Sequence, residues 1–88
     1  MIDFIPQATL DYHKFGKLLP YDIEKILFEF IEDSYYSNYQ KILIITGKGK
    51  VVRPLVKRLL AQNKFVSNFK QASYFNGQSG AFEVTLIS

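Results

Sequence analysis

Residues 42–53 read Ile42-Leu43-Ile44-Ile45-Thr46-Gly47-Lys48-Gly49-Lys50-Val51-Val52-Arg53. The four aliphatics, three of them β-branched, are too short for a helix and suit a central strand buried on both faces, as parallel strands are. Gly47 and Gly49 end the run. Beyond them Val52, Leu55, Val56, Leu59 and Leu60 step by three and four, the period of an amphipathic helix. Pro54 is compatible with such a helix only in its first turn, which places the start near residues 50–52. Asn63 ends it. The stretch therefore reads as strand, glycine turn and basic helix.

Working outward, the preceding segment carries Ile23, Ile26, Leu27, Phe30, Ile31 and Tyr35 on one helical stripe. Glu24, Glu29, Glu32 and Asp33 lie mostly off that stripe, so this helix turns an acidic face to water. Pro20 fits its first turn, Asp22 and Glu24 complement the helix dipole, and Ser37-Asn38 stops it. Residues 8–12 read as a strand and 14–19 as a loop. Downstream, residues 65–73 form a further extended segment and 76–80 a turn-rich loop. In the last segment Phe82, Val84 and Leu86 alternate with Glu83 and Thr85, the pattern of a half-buried strand. The order is βαβαββ, which predicts an α/β two-layer sandwich: a mixed sheet with helices packed against it, its first two strands parallel.

With 88 residues, 48% of them hydrophobic, the chain has room for one core, and a single domain over residues 1–88 is expected, its core at about 8–87. The absence of Cys excludes a disulfide scaffold and any Cys-ligated zinc or iron–sulfur site, and one His excludes a mechanism that needs two in one subunit. No apolar run approaches the roughly 20 residues of a membrane span, and Asp3, Pro6 and Gln7 interrupt any leader-like stretch. A soluble cytoplasmic protein with no membrane partner is the expectation. Charge is unevenly spread. Residues 1–45 hold four basic against seven acidic side chains, net −3, whereas residues 46–88 hold seven against one, net +6. That second half is suited to a polyanion.

Two features converge if the first two strands are parallel, because ligands of open α/β sheets bind beyond the carboxyl ends of such strands. Asp11 and His13 end the first strand. As alternate residues of a strand they share a face, where the carboxylate can orient the imidazole. Tyr12 points the other way, into packing. At the end of the second strand, Thr46-Gly47-Lys48-Gly49-Lys50 lets backbone N–H groups approach an anion at a helix N-terminus, with Arg53 adding charge. The Walker A spacing is absent. Gly77 and Gly80, before the last strand, offer either a hairpin turn or a second backbone approach to phosphate. Tyr35, Tyr36 and Tyr39 read as caps of the first helix against the core rather than as base-stacking residues.

Leu10-Asp11-Tyr12-His13, the Thr46-Gly47-Lys48-Gly49 loop and the glycine-containing residues 77–81 occur in the order of the Smr (small MutS-related) domain motifs. Those motifs are LDxH, HGxG or TGxG, and a Gly-rich segment before the last strand. The chain resembles this family over about residues 8–87, and its TGKG form is similar to stand-alone bacterial members. The resemblance implies a βαβαββ sandwich with nucleic-acid endonuclease activity, on DNA or on RNA, including ribosome-associated messenger RNA in some members. It implies Asp11 and His13 as the catalytic pair. It implies Gly47, Lys48 and Gly49 as phosphate contacts, and Thr46, Lys50, Arg53, Gly77 and Gly80 around them are the further nucleic-acid contacts expected from the loop's charge and backbone. Thr46 stands where many members have a second His, and Gly77-Gln78 replaces the usual Gly-Gly. Stand-alone members often carry an N-terminal extension that is missing here, so the expectation is either an excised domain or a minimal form that relies on a partner for targeting.

Two mechanisms follow from that implication. On RNA, His13 takes the 2′-OH proton, Asp11 orients its ring, and the glycine loop with Lys48 stabilises charge on the phosphate without a metal. On DNA a water must attack, which calls for a divalent ion, magnesium or manganese, or a longer relay. One histidine and few metal ligands favour RNA. The alternative is a non-catalytic nucleic-acid-binding module that uses the same basic half. A small phospho-metabolite enzyme is less well supported, since no enclosing lid is legible.

Overall fold

The computed structural model describes residues 4–73 and 76–88; Asp3, read above as interrupting the N-terminal apolar stretch, lies outside them. Strand β1 spans Ala8–Asp11 and is followed by a single 3-10 turn, Tyr12–Lys14. Helix α1 (Pro20–Tyr36), strand β2 (Lys41–Ile45), helix α2 (Val52–Gln62), and strands β3 (Val66–Gln71) and β4 (Ala81–Leu86) complete the order. The sheet runs β1-β2-β4-β3. β1 pairs parallel with β2, Leu10 opposite Ile44 and Asp11 opposite Ile45. β4 is antiparallel to both β2 and β3. This is the expected mixed-sheet sandwich.

Both helices lie on one face. Ile42 and Ile44 of β2 and Phe82, Val84 and Leu86 of β4 meet Ile23, Leu27 and Ile31 of α1 and Val56, Leu59 and Leu60 of α2 in one core. The three α1 residues have no exposed surface, and each such burial is worth about 1.5–3 kcal/mol. Ile26, Phe30 and Tyr35 flank them half-buried, and Tyr39 also packs on the core, whereas Tyr36 is exposed. Pro20 occupies the first turn of α1, and the chain leaves that helix through Asn38 at φ 63°. Pro54 lies in the first turn of α2, where the helix is closed by Leu55 N–H donating to Val51. Among the described residues no helix is long and apolar enough to cross a membrane.

Two expectations change. β1 ends at Asp11 rather than at residue 12, because the Asp11 carboxylate captures the His13 N–H and bends the chain into the 3-10 turn. β4 is not half-buried. It lies between β2 and β3 and its second face is covered as well, so that Glu83 keeps only 2% of its surface exposed. Period-two alternation on this strand separates helix side from outer side, not inside from outside.

Candidate nucleic-acid cleavage site

The parallel pairing of β1 and β2 sets their carboxyl ends side by side, and the segments leaving them build the site. Asp11 caps the turn Tyr12–Lys14. Its Oδ1 accepts the His13 backbone N–H at 2.9 Å and meets His13 Nδ1 at 3.0 Å. The expected pair is thus formed, through a side-chain-capped turn rather than through strand alternation. An ionised carboxylate only accepts, so Nδ1 carries a hydrogen at this contact, and in the neutral ring the lone pair is then on Nε2. The His13 side chain is 64% exposed and that of Asp11 28%. Tyr12 faces inward: it is buried, its hydroxyl donates to Ile23 O at 2.8 Å, and burial pushes the phenol well above its ordinary value.

The imidazole edge lies over Gly47. A Cβ there would fall 2.7 Å from Nε2 and push the ring aside, and the backbone at φ +77° itself favours glycine. Thr46 is buried at the foot of this loop. Its hydroxyl donates to Gly47 O at 2.8 Å, and the N–H groups of Thr46 and Gly47 both donate to Gly80 O at 2.9 Å. Two of the loop's donors are therefore committed within the protein. The N–H groups of Lys48 and Gly49 have no acceptor among the described residues. Lys48 and Lys50 are exposed and form no ion pair among those residues.

Arg53 is anchored. Its Nε donates to Ser79 O at 2.6 Å and its guanidinium lies 4.8 Å from the centre of the Phe82 ring, which ties the start of α2 to the segment before β4. Gly77, at φ +108°, turns that segment, and Gly80 is buried against the Gly47 backbone. Gly80 thus backs the Thr46–Gly49 loop from behind. Beneath the segment, Glu83 Oε2 accepts the Ser73 N–H and an Asn76 amide hydrogen, each at 2.9 Å, and Lys70 Nζ stands 4.0 Å from Oε1. Burial pushes the Glu83 carboxyl up, but these hydrogen bonds and Lys70 outweigh it and hold the group below its ordinary value. Asn76 donates its other amide hydrogen to Phe4 O at 2.9 Å.

His13 borders two grooves. One, about 460 Å³ on the outer sheet face, has Leu43, Ile45, Lys48, Asn76 and Gly77 in its walls. The other, about 420 Å³, lies toward the start of α2 and includes Tyr12, Phe15, Leu18, Val51 and Val52. Asn76, Phe15 and Val51 were not singled out from sequence. Asn76 stood in a turn-rich run with nothing local to mark its bonds to Phe4 and Glu83, which are distant in sequence or on another strand. A divalent ion would find two candidate ligands here, Asp11 and His13, whose facing atoms are already bonded to each other. Among the described residues no three His, Cys, Asp or Glu side chains come together, so the donor set does not make a dedicated divalent site.

Fold and site define an α/β sandwich with an Asp–His pair and a basic glycine loop at the carboxyl edge of its parallel strands. The family model of the Smr domain matches residues 17–87, and the chain belongs to that family. The match begins downstream of Asp11 and His13, whose pairing rests on the geometry above. The family is associated with nucleic-acid binding and nuclease activity. Among solved structures, the Smr domain of Thermus thermophilus MutS2 is similar with a TM-score of 0.82 at 20% identity, over 92% of this chain and 99% of that one. YdaL, a stand-alone small MutS-related protein from Escherichia coli, is similar with a TM-score of 0.82 at 28% identity, over 98% of this chain and 69% of that one. No curated protein sequence matched.

Proposed function

We propose that this Smr domain is an endoribonuclease that cleaves by transesterification with His13 as the general base. Nε2 takes the 2′-OH proton, the 2′-oxygen attacks phosphorus, and the bond from phosphorus to the 5′-oxygen breaks. The departing oxygen takes its proton from the Lys48 ammonium or from water. The products are a 2′,3′-cyclic phosphate and a 5′-hydroxyl. Asp11 holds the ring in the tautomer that leaves Nε2 free, and the N–H groups of Lys48 and Gly49 with the Lys48 charge face the phosphoryl oxygens. The observation that carries this reading is the Asp11–His13 pair, its ring exposed at the meeting of two grooves beside Lys48, which has no ion pair among the described residues. Arg53, its Nε already bonded, acts by fixing the loop.

The test is cleavage of end-labelled single-stranded RNA in EDTA by the wild-type chain and by His13→Ala, with the product ends analysed. Positioned general bases contribute about 10²–10⁴-fold, so His13→Ala is expected to lose at least about a hundredfold in rate while keeping its affinity. Cyclic phosphate ends are expected. Lys48 and Lys50, exposed and without an ion pair among the described residues, also favour a second reading, a binding module without turnover. RNA bound but uncleaved, with no change in affinity in His13→Ala, would select that reading. Nicking of supercoiled DNA only with added magnesium or manganese would overturn the RNA mechanism.

A further inference from the structure

We propose that His13 stands on a divide between two nucleoside subsites, so that the substrate is a single strand whose bases on either side of the scissile phosphate are unstacked, one in each groove. This rests on the reading of His13 as the group that faces the phosphodiester, and it adds the form of the strand. Among the described residues, the two grooves share His13 in their walls and no other. Each falls within the range of about 300–1,000 Å³ typical of small-molecule sites. A phosphodiester seated at Nε2 joins two nucleosides that must leave it in opposite directions, and a groove opens on each side. Stacked bases are only about 3.4 Å apart along a strand, which leaves no space for an imidazole between them. A strand seated here is therefore opened at that step, as single strands allow and continuous duplexes resist.

The two grooves differ in chemistry. The outer one has an aliphatic floor of Leu43 and Ile45 with Asn76 at its wall. Both hydrogens of the Asn76 amide are committed, to Phe4 O and to Glu83 Oε2, and Oδ1 has no donor among the described residues, which makes it an acceptor suited to a base N–H. The second groove presents Phe15, 42% exposed, and Val51, 61% exposed, an apolar surface with a ring on which a base can stack. Lys48 borders the first and Lys17 the second, which supplies a cation for the phosphate on each side.

Methyl resonances separate the two subsites: Leu43 and Ile45 report one groove, Leu18, Val51 and Val52 the other. A 2′-O-methyl RNA tetranucleotide, which cannot react through its 2′-oxygen, is titrated into the intact chain. Both sets are expected to shift with one common dissociation constant, and a 2′-O-methyl duplex at the same concentrations is expected to shift neither. Phe15→Ala, with its spectrum otherwise retained, is expected to weaken tetranucleotide binding about tenfold. Shifts confined to one set, or a duplex that moves both, would overturn the two-subsite arrangement. Shifts of the His13 and Lys48 amides with neither methyl set moving would overturn it too, while leaving the cleavage reading intact. No shift anywhere with either RNA would overturn both.

Discussion

At Gly47 the needs of the loop and of the histidine coincide. Its φ of +77° is strained for any residue with a Cβ, and that Cβ would sit 2.7 Å from the nitrogen assigned the proton transfer. Gly47→Ala is expected to cost about 1–2 kcal/mol in stability from the left-handed backbone alone. It is also expected to lower cleavage by about a hundredfold through displacement of the ring. Gly49→Ala, with nothing within 4 Å of the added carbon, is the matched control for stability and should melt near wild type. Parallel rate measurements and thermal melts separate the two effects; equal losses in both variants would mean that loop flexibility matters rather than the His13 contact. The sequence marked both glycines alike, since only the folded chain brings His13 over one of them. The Asp11–His13 pair was legible because the two residues are near in sequence. The commitments of Thr46 to Gly80 and of Arg53 to Ser79 span the fold and were not.

At the scale of elements, the strands and helices were readable wherever one periodicity dominated, as in α1, α2 and β2. β4 was readable as a strand but not as a covered one, because a local pattern does not say which strands will flank it or what will lie across its second face. Glu83 is the consequence: an acidic residue in a polar position of the alternation that ends up 2% exposed, supporting the segment that backs the site. Glu83→Ala leaves the Ser73 N–H and an Asn76 hydrogen without their acceptor, an expected loss of about 2–6 kcal/mol at roughly 1–3 kcal/mol for each unsatisfied group. The folded chain holds this carboxyl below its ordinary value of 4.5, so it binds a proton less readily there than in the unfolded chain. Its stabilisation is complete above about pH 4.5 and is lost as pH falls through the lower folded-state value. Urea unfolding between pH 7 and pH 3 should therefore show a steeper acid loss in the wild type than in Glu83→Gln. Parallel curves would mean that the carboxylate carries no linkage.

Across the whole molecule the charge asymmetry was visible in the sequence, but the total of +6 over residues 46–88 does not say which cations meet a ligand. The topology sorts them. α2 starts at the carboxyl edge of β2 and runs away from it, so Lys48 and Lys50 stand at the site, while Lys64 follows the far end of α2 and lies over the Phe65 ring. Lys70 is turned to Glu83. Lys17 comes from the other half of the chain, yet it borders a groove that includes His13. If a polyanion were held by the basic half as a whole, Lys64→Ala and Lys48→Ala would weaken binding alike. A local site predicts otherwise. Each phosphate contact on a single strand contributes about −0.7 to the slope of log affinity against log salt. Lys48→Ala and Lys17→Ala are each expected to reduce the magnitude of that slope by about 0.7, and Lys64→Ala to leave it unchanged. Fluorescence anisotropy of a labelled 2′-O-methyl strand from 50 to 200 mM salt, a range over which about 0.7 units of slope is readily resolved, makes the comparison. A slope that falls with Lys64→Ala as much as with Lys48→Ala would place the strand along α2 rather than across the His13 edge.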